Sequence, residues 1–261
     1  MQVTQQRPCI LCIGGLDPSG GAGLQADIEA IAQCGGHALP IASCLTVQNS
    51  SKAISLSVVD ASIIQQQADA LLNDMDISAC KIGVIPNQEI AITIAGIITQ
   101  LPDIPIVLDP VLSASHGIKF VDQATLDSMR NKVLPAVTVV TPNSAELDQL
   151  IAGDECITSK AQSLCQLGPE HVLVTGTDEK TEDVVHYLVN KEKMLNEYHW
   201  HRLPHEFHGS GCTLSSALAC LLALGLDIQE AVEQAQKYTM QSLKAADIPG
   251  QGQWIPNRIL K

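Results

Sequence analysis

The sequence predicts a three-layer α/β/α fold around a mostly parallel central sheet, with a small antiparallel hairpin. Three observations carry that expectation. Short Val/Ile-rich runs alternate with longer amphipathic ones, the βαβ pattern of a parallel sheet with helices on both faces. Hydrophobic residues fill 46% of the 261 positions but aromatic residues only 3%, so the core has to be aliphatic, as in strands covered on both sides. Several apolar runs end in Gly-Gly, Asp-Pro or Thr-Pro-Asn, and in open α/β sheets the ligand crevice lies beyond those carboxyl ends.

Taken in order, strand-like runs occupy 9–13, 38–45, 79–84, 104–109, 137–141 and 171–175. Helix-like runs occupy 24–33, 61–73, 89–99, 123–133, 144–151 and 159–167, where apolar residues recur every three or four positions. The segments 183–189 and 194–200, separated by Asn190-Lys191-Glu192-Lys193, read as the hairpin. Helices over 213–224 and 228–244 close the pattern. No internal repeat or low-complexity linker interrupts it, which predicts one domain over 1–261.

Charge and cysteine usage narrow the function. A formal net charge of −13 argues against nucleic acid, whose phosphates require a basic footprint. There is no apolar leader near the N-terminus and no apolar run of ~18–20 residues, so a soluble, cytoplasmic protein is expected, not a membrane one. The nine cysteines are odd in number and scattered. Cys9 and Cys12 form a C-x-x-C inside a strand-like run, where positions three apart face opposite sides, and no second pair completes a zinc site. They read as structural thiols of a reducing compartment.

The most informative motif is His208-Gly209-Ser210-Gly211-Cys212-Thr213. Its glycines let backbone N–H groups close on an anion, and the helix expected from Thr213 adds the positive end of its dipole. Cys212 stands at the mouth of that cradle. A thiol at a helix N-terminus is expected to have a depressed pKa, and could accept a hydroxyl proton or orient an acceptor oxygen. Inert packing and a covalent hydrolase nucleophile are the competing readings, the second requiring a histidine partner. His199, His201 and His205 precede the loop, but with His208 they match no zinc spacing and read as structural or loop residues.

Other candidates surround it. Residues 21–26 match a relaxed G-x-G-x-x-A fingerprint, yet 43–48 offers no acid to hold a ribose, and no G-x-x-x-x-G-K-[ST] occurs anywhere. Asp27 lies on the first helix within reach of the sheet's upper edge, or on a solvated helix face. Asp109 ends the fourth strand-like run. Glu146, three residues after Asn143, either completes a capping box or joins Asp109 around a hydrated Mg²⁺. Gln48 can donate and accept at once, which suits a heterocycle bearing adjacent ring nitrogen and amino groups; a solvated loop amide explains it equally well.

Together, the stretch from Gly15 to Asp27, Val47-Gln48-Asn49, Lys81-Ile82-Gly83, Asp109-Pro110-Val111, Thr141-Pro142-Asn143 with Glu146, and the 208–213 loop resemble the hydroxymethylpyrimidine/phosphomethylpyrimidine kinases of thiamin biosynthesis, in the ribokinase-like superfamily. The pieces are individually weak but run in order over nearly the whole chain. The resemblance implies a ribokinase-like fold and a pyrimidine pocket using Gly15, Asp27 and Gln48 with walls from Val84 and Val111. It implies Mg²⁺ near Asp109 and Glu146, acting through water, and ATP over Asn143, Thr175 and Thr177. It implies Cys212 in the place of the aspartate base of sugar kinases, and a homodimer. The γ-phosphoryl group would pass in line to the hydroxymethyl oxygen and then to the phosphate already attached. Backbone N–H groups of Gly209, Ser210, Gly211 and Cys212 would stabilise the moving charge.

The sequence departs from that family in places. Leu16 stands where members often carry Thr, and two lysines near the polyphosphate are replaced, at Ser115 and Thr175. Losing two cations there weakens charge stabilisation unless Mg²⁺ or another residue compensates. The rival readings are a pyridoxal kinase and a catalytically silent pyrimidine binder.

Overall fold

The computed structural model describes residues 7–113, 120–176 and 181–260. Its sheet is built from β1 (Cys9–Leu16), β2 (His37–Gln48), β3 (Ala53–Val58), β4 (Ile77–Ile82), β5 (Ile106–Leu108), β6 (Val139–Val140), β7 (His171–Thr175), β8 (Asp183–Asn190) and β9 (Met194–His201). These lie in the order β3-β2-β1-β4-β5-β6-β7-β8-β9. Strands β2, β1, β4, β5, β6 and β7 run parallel; β3, β8 and β9 are antiparallel additions at the two edges. The expected hairpin is β8–β9.

Alternation along the strands sends successive side chains to opposite layers. Leu11 and Ile13 of β1 join a core with Ile64 of α2 (Ala61–Leu72) and with Ile90, Ile94 and Ile98 of α3 (Gln88–Ile98). Leu147 of α5 (Ser144–Leu150) and Leu164 of α6 (Ile157–Cys165) extend that layer. Ile10 and Cys12 point the other way, onto Ile31 of α1 (Gly23–Gln33), Leu218 of α7 (Ser210–Ala223) and Val232 of α8 (Ile228–Lys244). All nine cysteines are free, with Cys12 fully buried, so the C-x-x-C is packing.

Three expectations needed correction. Residues 53–58 form an unpredicted edge strand, because Ile54, Leu56 and Val58 alternate with serines and Asn49 closes the turn by accepting from Ser51 N and Lys52 N. Gln48 therefore ends strand β2 and does not sit in a loop. The helix expected over 123–133 is α4 (Gln123–Ser128) followed by a π turn (Met129–Val133) and a 3₁₀ turn (Leu134–Ala136), the latter fixed by Pro135. Helix α7 begins at Ser210, three residues before the expected start. No helix among the described residues is long and apolar enough to cross a membrane.

Candidate functional site

Strand β1 sends its chain to β2 on one side, and β4 lies on the other, so the sheet's connections reverse direction between β1 and β4. In an open α/β sheet that switch point opens a crevice at the carboxyl ends of the strands. A cleft of about 610 Å³ lies there. Gly15, Asp27, Gln48, Val84, Asp109, Val111, Asn143, Glu146, Thr175, Gly209, Ser210, Gly211 and Cys212 all line it. Thr177 and Ser115 lie outside the described residues. Val84 and Phe120 pack with buried Cys44 into an apolar wall that Val111 and Leu56 extend.

The floor of the cleft is a buried charge cluster. Lys81 of β4 is 1% exposed, and its Nζ lies 2.9 Å from Asp27 Oδ1 and 3.8 Å from Asp109 Oδ2. Ser216 Oγ donates to Asp27 Oδ1 at 2.6 Å, and Ser215 Oγ to Asp109 Oδ2 at 3.3 Å. Asp27 Oδ2 is buried without a hydrogen-bond partner, a carboxylate oxygen left for a ligand. Asp27 is thus not on a solvated face. Burial alone would lower the Lys81 ammonium, but the carboxylates of Asp27 and Asp109 hold it well above its ordinary range. Burial raises the Asp109 carboxyl; Lys81 opposes this and Asp27 adds to it.

The thiol of Cys212 behaves opposite to expectation. Burial pushes it up to about 12; Lys81 pulls it down, while Asp109 and Asp27 push it further up. Desolvation beside two carboxylates outweighs the helix terminus, so Cys212 rests as a neutral thiol.

The glycine loop that the sequence marks as an anion cradle opens α7 at the edge of the cleft. Gly209 is the N-cap of α7 in the left-handed region (φ 82°), and no side chain caps that helix. By contrast, Asp60, Asn87 and Asp227 cap α2, α3 and α8 with their own carboxylate or amide oxygens. The first-turn N–H groups of α7 therefore face the cleft with no capping acceptor. Beside them His208 Nε2 lies 2.7 Å from Asp17 Oδ2, which also accepts from Ala22 N at 2.9 Å, while Asp17 Oδ1 accepts from Ser19 N and Oγ. Burial would raise the Asp17 carboxyl, but its hydrogen bonds to His208 and Ser19 hold it down at about 2. His208 is thus the clasp between the two glycine loops.

At the opposite end, Asn143 and Thr175 are bridged between neighbouring strand tips. Asn143 and Glu146 form the full capping box: Glu146 N donates to Asn143 Oδ1 at 2.8 Å and Asn143 N to Glu146 Oε2 at 2.9 Å. One Glu146 oxygen is thus committed to the helix start. No group of three His, Cys, Asp or Glu among the described residues could hold a metal by itself. Two acids on one cleft do fit a hydrated Mg²⁺, whose remaining positions go to water and phosphate.

Sequence reasoning missed the slot between β8–β9 and α8. Trp200, Leu203, Met240 and Leu243 line it beside His186 and Gln236. Gln236 donates its amide to Val232 O, so its Oε1 accepts from Trp200 Nε1 at 2.7 Å and from His186 Nδ1 at 2.8 Å. Burial lowers His186 to about 4, against a partial rise from Gln236. The unfolded chain then binds the extra proton between pH ~6.5 and ~4. Stability should therefore fall with pH across that window, by on the order of 3 kcal/mol from this residue. Urea unfolding of a His186→Gln variant at pH 7 and pH 4.5 should show a shallower decline than the parent. An identical decline would remove His186 from the account.

Residues 17–257 match the family model described as phosphomethylpyrimidine kinase. A hydroxymethylpyrimidine/phosphomethylpyrimidine kinase of Synechococcus elongatus is 35% identical over 94% of this chain and 95% of its own length. A probable chloroplastic thiamine biosynthetic bifunctional enzyme of rice is 31% identical, and the match spans 90% of this chain but only 44% of that protein. Among solved structures, a phosphomethylpyrimidine kinase from Clostridium difficile superposes with a TM-score of 0.79 at 28% identity, covering 91% of this chain and all (100%) of that one. An ADP complex of Bacillus subtilis pyridoxal kinase gives 0.86 at 26% identity, covering 97% and 98%.

Proposed function

The chain belongs to the phosphomethylpyrimidine kinase family and is a hydroxymethylpyrimidine/phosphomethylpyrimidine kinase; from that premise we propose how its cleft carries out ATP-dependent transfer. The observation that carries the reading is the Asp27–Lys81–Asp109–Cys212 cluster directly beneath the uncapped start of α7. An acceptor hydroxyl at Cys212 would face N–H groups that hold the moving phosphoryl.

The pyrimidine lies between Gly15 and the apolar wall of Val84, Val111 and Phe120, with Gln48 and the unpartnered Asp27 oxygen reading its polar edge. ATP lies with its base in the Trp200–Met240–Leu243 slot and its phosphates over Asn143, Thr175 and the 209–212 turn. Asp109 and Glu146 would hold a hydrated Mg²⁺, which neutralises charge on the β- and γ-phosphates when bound. Because transfer passes through a loose transition state, the acceptor proton need not leave early. A neutral Cys212 suits that order: its sulfur orients the hydroxyl, whose proton passes to an oxygen of the transferred phosphoryl group as the new O–P bond forms, with Lys81 as the counter-charge.

One kinase domain over 1–261 is supported by the single sheet of the described residues, around whose strand tips these residues line one cleft. A cytoplasmic homodimer fits as well. Leu16, Leu45 and Val47 are 42%, 47% and 52% exposed on one face of β1–β2, next to edge strand β3.

ADP release coupled to hydroxymethylpyrimidine, its monophosphate and pyridoxal tests the reading. Turnover with both pyrimidines and little with pyridoxal is expected; preferred turnover of pyridoxal would reassign the acceptor. Cys212→Ala should lose up to about 10²-fold in kcat, as the hydroxyl loses its positioning group, with acceptor KM nearly unchanged. A full rate in that variant would leave the thiol as packing.

A further inference from the structure

After α8 the chain returns over the cleft as a strap. Asp247 and Ile255 exchange two backbone hydrogen bonds of 3.0 and 2.8 Å. Gln253 N then bonds Ser50 O at the β2–β3 turn, and Trp254 N bonds Glu206 O, both at 2.9 Å. His208 N, at the anion loop, bonds Trp254 O at 2.8 Å.

The strap delivers Arg258, which is 1% exposed and heads the fully buried side chains by volume. An arginine is buried only where its donors are matched. Its Nε donates to Thr213 Oγ1 at 2.8 Å, its Nη1 to Glu29 Oε2 at 3.2 Å and Gly20 O at 3.4 Å, and its Nη2 to Gly21 O. Thr213 Oγ1 in turn donates to Gly209 O at 2.8 Å. One guanidinium thus reaches the carbonyls of the first glycine loop directly. It reaches the left-handed N-cap of the anion loop through a single hydroxyl.

We propose that Arg258 is a positioning residue for phosphoryl transfer: its planar fork fixes the two glycine loops against each other, and its charge stands behind the N–H groups that receive the phosphoryl. It is a fixed cation beside both glycine loops. Lysine could supply the charge but not the fork, because its three donors are not held in a plane. The inference rests on the kinase reading, and the experiment separates the two.

Steady-state kinetics on the full chain are compared for the parent, Arg258→Lys, Arg258→Ala and Thr213→Val, with thermal unfolding of each. If the parent turns over no acceptor, the kinase reading fails and Arg258 is not at issue. With an active parent, Arg258→Lys should lose at least about tenfold in kcat with pyrimidine KM within about twofold, since a loop displaced by ~1 Å costs up to 10²-fold. Thr213→Val, which leaves the arginine in place and cuts its link to Gly209, should lose kcat in the same way. Millimolar guanidinium should restore part of the kcat of Arg258→Ala, and equal NaCl should not. Full kcat in Arg258→Lys or Thr213→Val overturns the proposal. So does a loss confined to KM, or a loss that tracks the unfolded fraction with no guanidinium rescue. Should Arg258→Ala fail to fold, the other two variants decide.

Discussion

Replacing Lys81 with methionine is expected to lower the unfolding free energy by about 3–5 kcal/mol, because it leaves buried carboxylates facing each other with no counter-ion. For a chain of this size that is a midpoint shift on the order of 10 °C. Asp27 is fully buried and Asp109 is 4% exposed, so water cannot screen the loss. The cluster's response is the sharper test. Adding Asp27→Asn to Lys81→Met removes one of the stranded charges and should recover part of the loss, giving a favourable coupling in a double-mutant cycle. A Lys81→Met protein that melts within about 2 °C of the parent would show that the ammonium is not holding the acids together.

Gly209→Ala should lower kcat by about 10²-fold or more, the scale of losing a donor aimed at developing charge. Its φ of 82° is strained for any residue with a Cβ, at about 1–2 kcal/mol. The added methyl would also overlap Gly21 O and lie 2.8 Å from Arg258 Nη2 and 2.9 Å from Ala22 Cα. Backbone on one side and a fixed guanidinium on the other leave no direction for it to move, so the N–H groups of 210–212 must turn instead. Gly96→Ala is the control: its methyl meets nothing within 4 Å inside helix α3, and should leave kcat unchanged and stability equal or higher. Equal rates for the parent and Gly209→Ala would mean that the loop is not the phosphoryl cradle.

The sheet was legible because its parallel strands are aliphatic on both faces, and their polar tips marked the crevice. Strand β3 was not, because its alternating serines weaken the apolar signal and an edge strand needs only one partner. In the cleft, the residues named from motifs lie together, apart from Thr177, which lies outside the described residues. What sequence reading lacked was charge context. Lys81 belongs to a Lys-Ile-Gly run, and a lysine amid Ala79, Cys80 and Ile82 already signals a buried ion that must be paired. The Cys212 thiol was misjudged for the same reason: a helix terminus is visible in one dimension, whereas two neighbouring carboxylates are visible only after folding. Arg258 had no local signal, since Thr213 lies 45 positions away and its other side-chain partners, in the first glycine loop and Glu29, more than 200.

That separation has a consequence for biosynthesis. Arg258 pairs with Gly20 and Gly21 across 238 and 237 positions, and His208 meets Asp17 across 191. At ordinary elongation speeds, residue 258 leaves the ribosome roughly 10–50 s after residue 21. The sheet from β1 to β7 can pair during that interval, but the glycine loops have nothing to close against. Catalytic competence is therefore a late event of synthesis, and a nascent or prematurely terminated chain could be compact without being able to consume ATP.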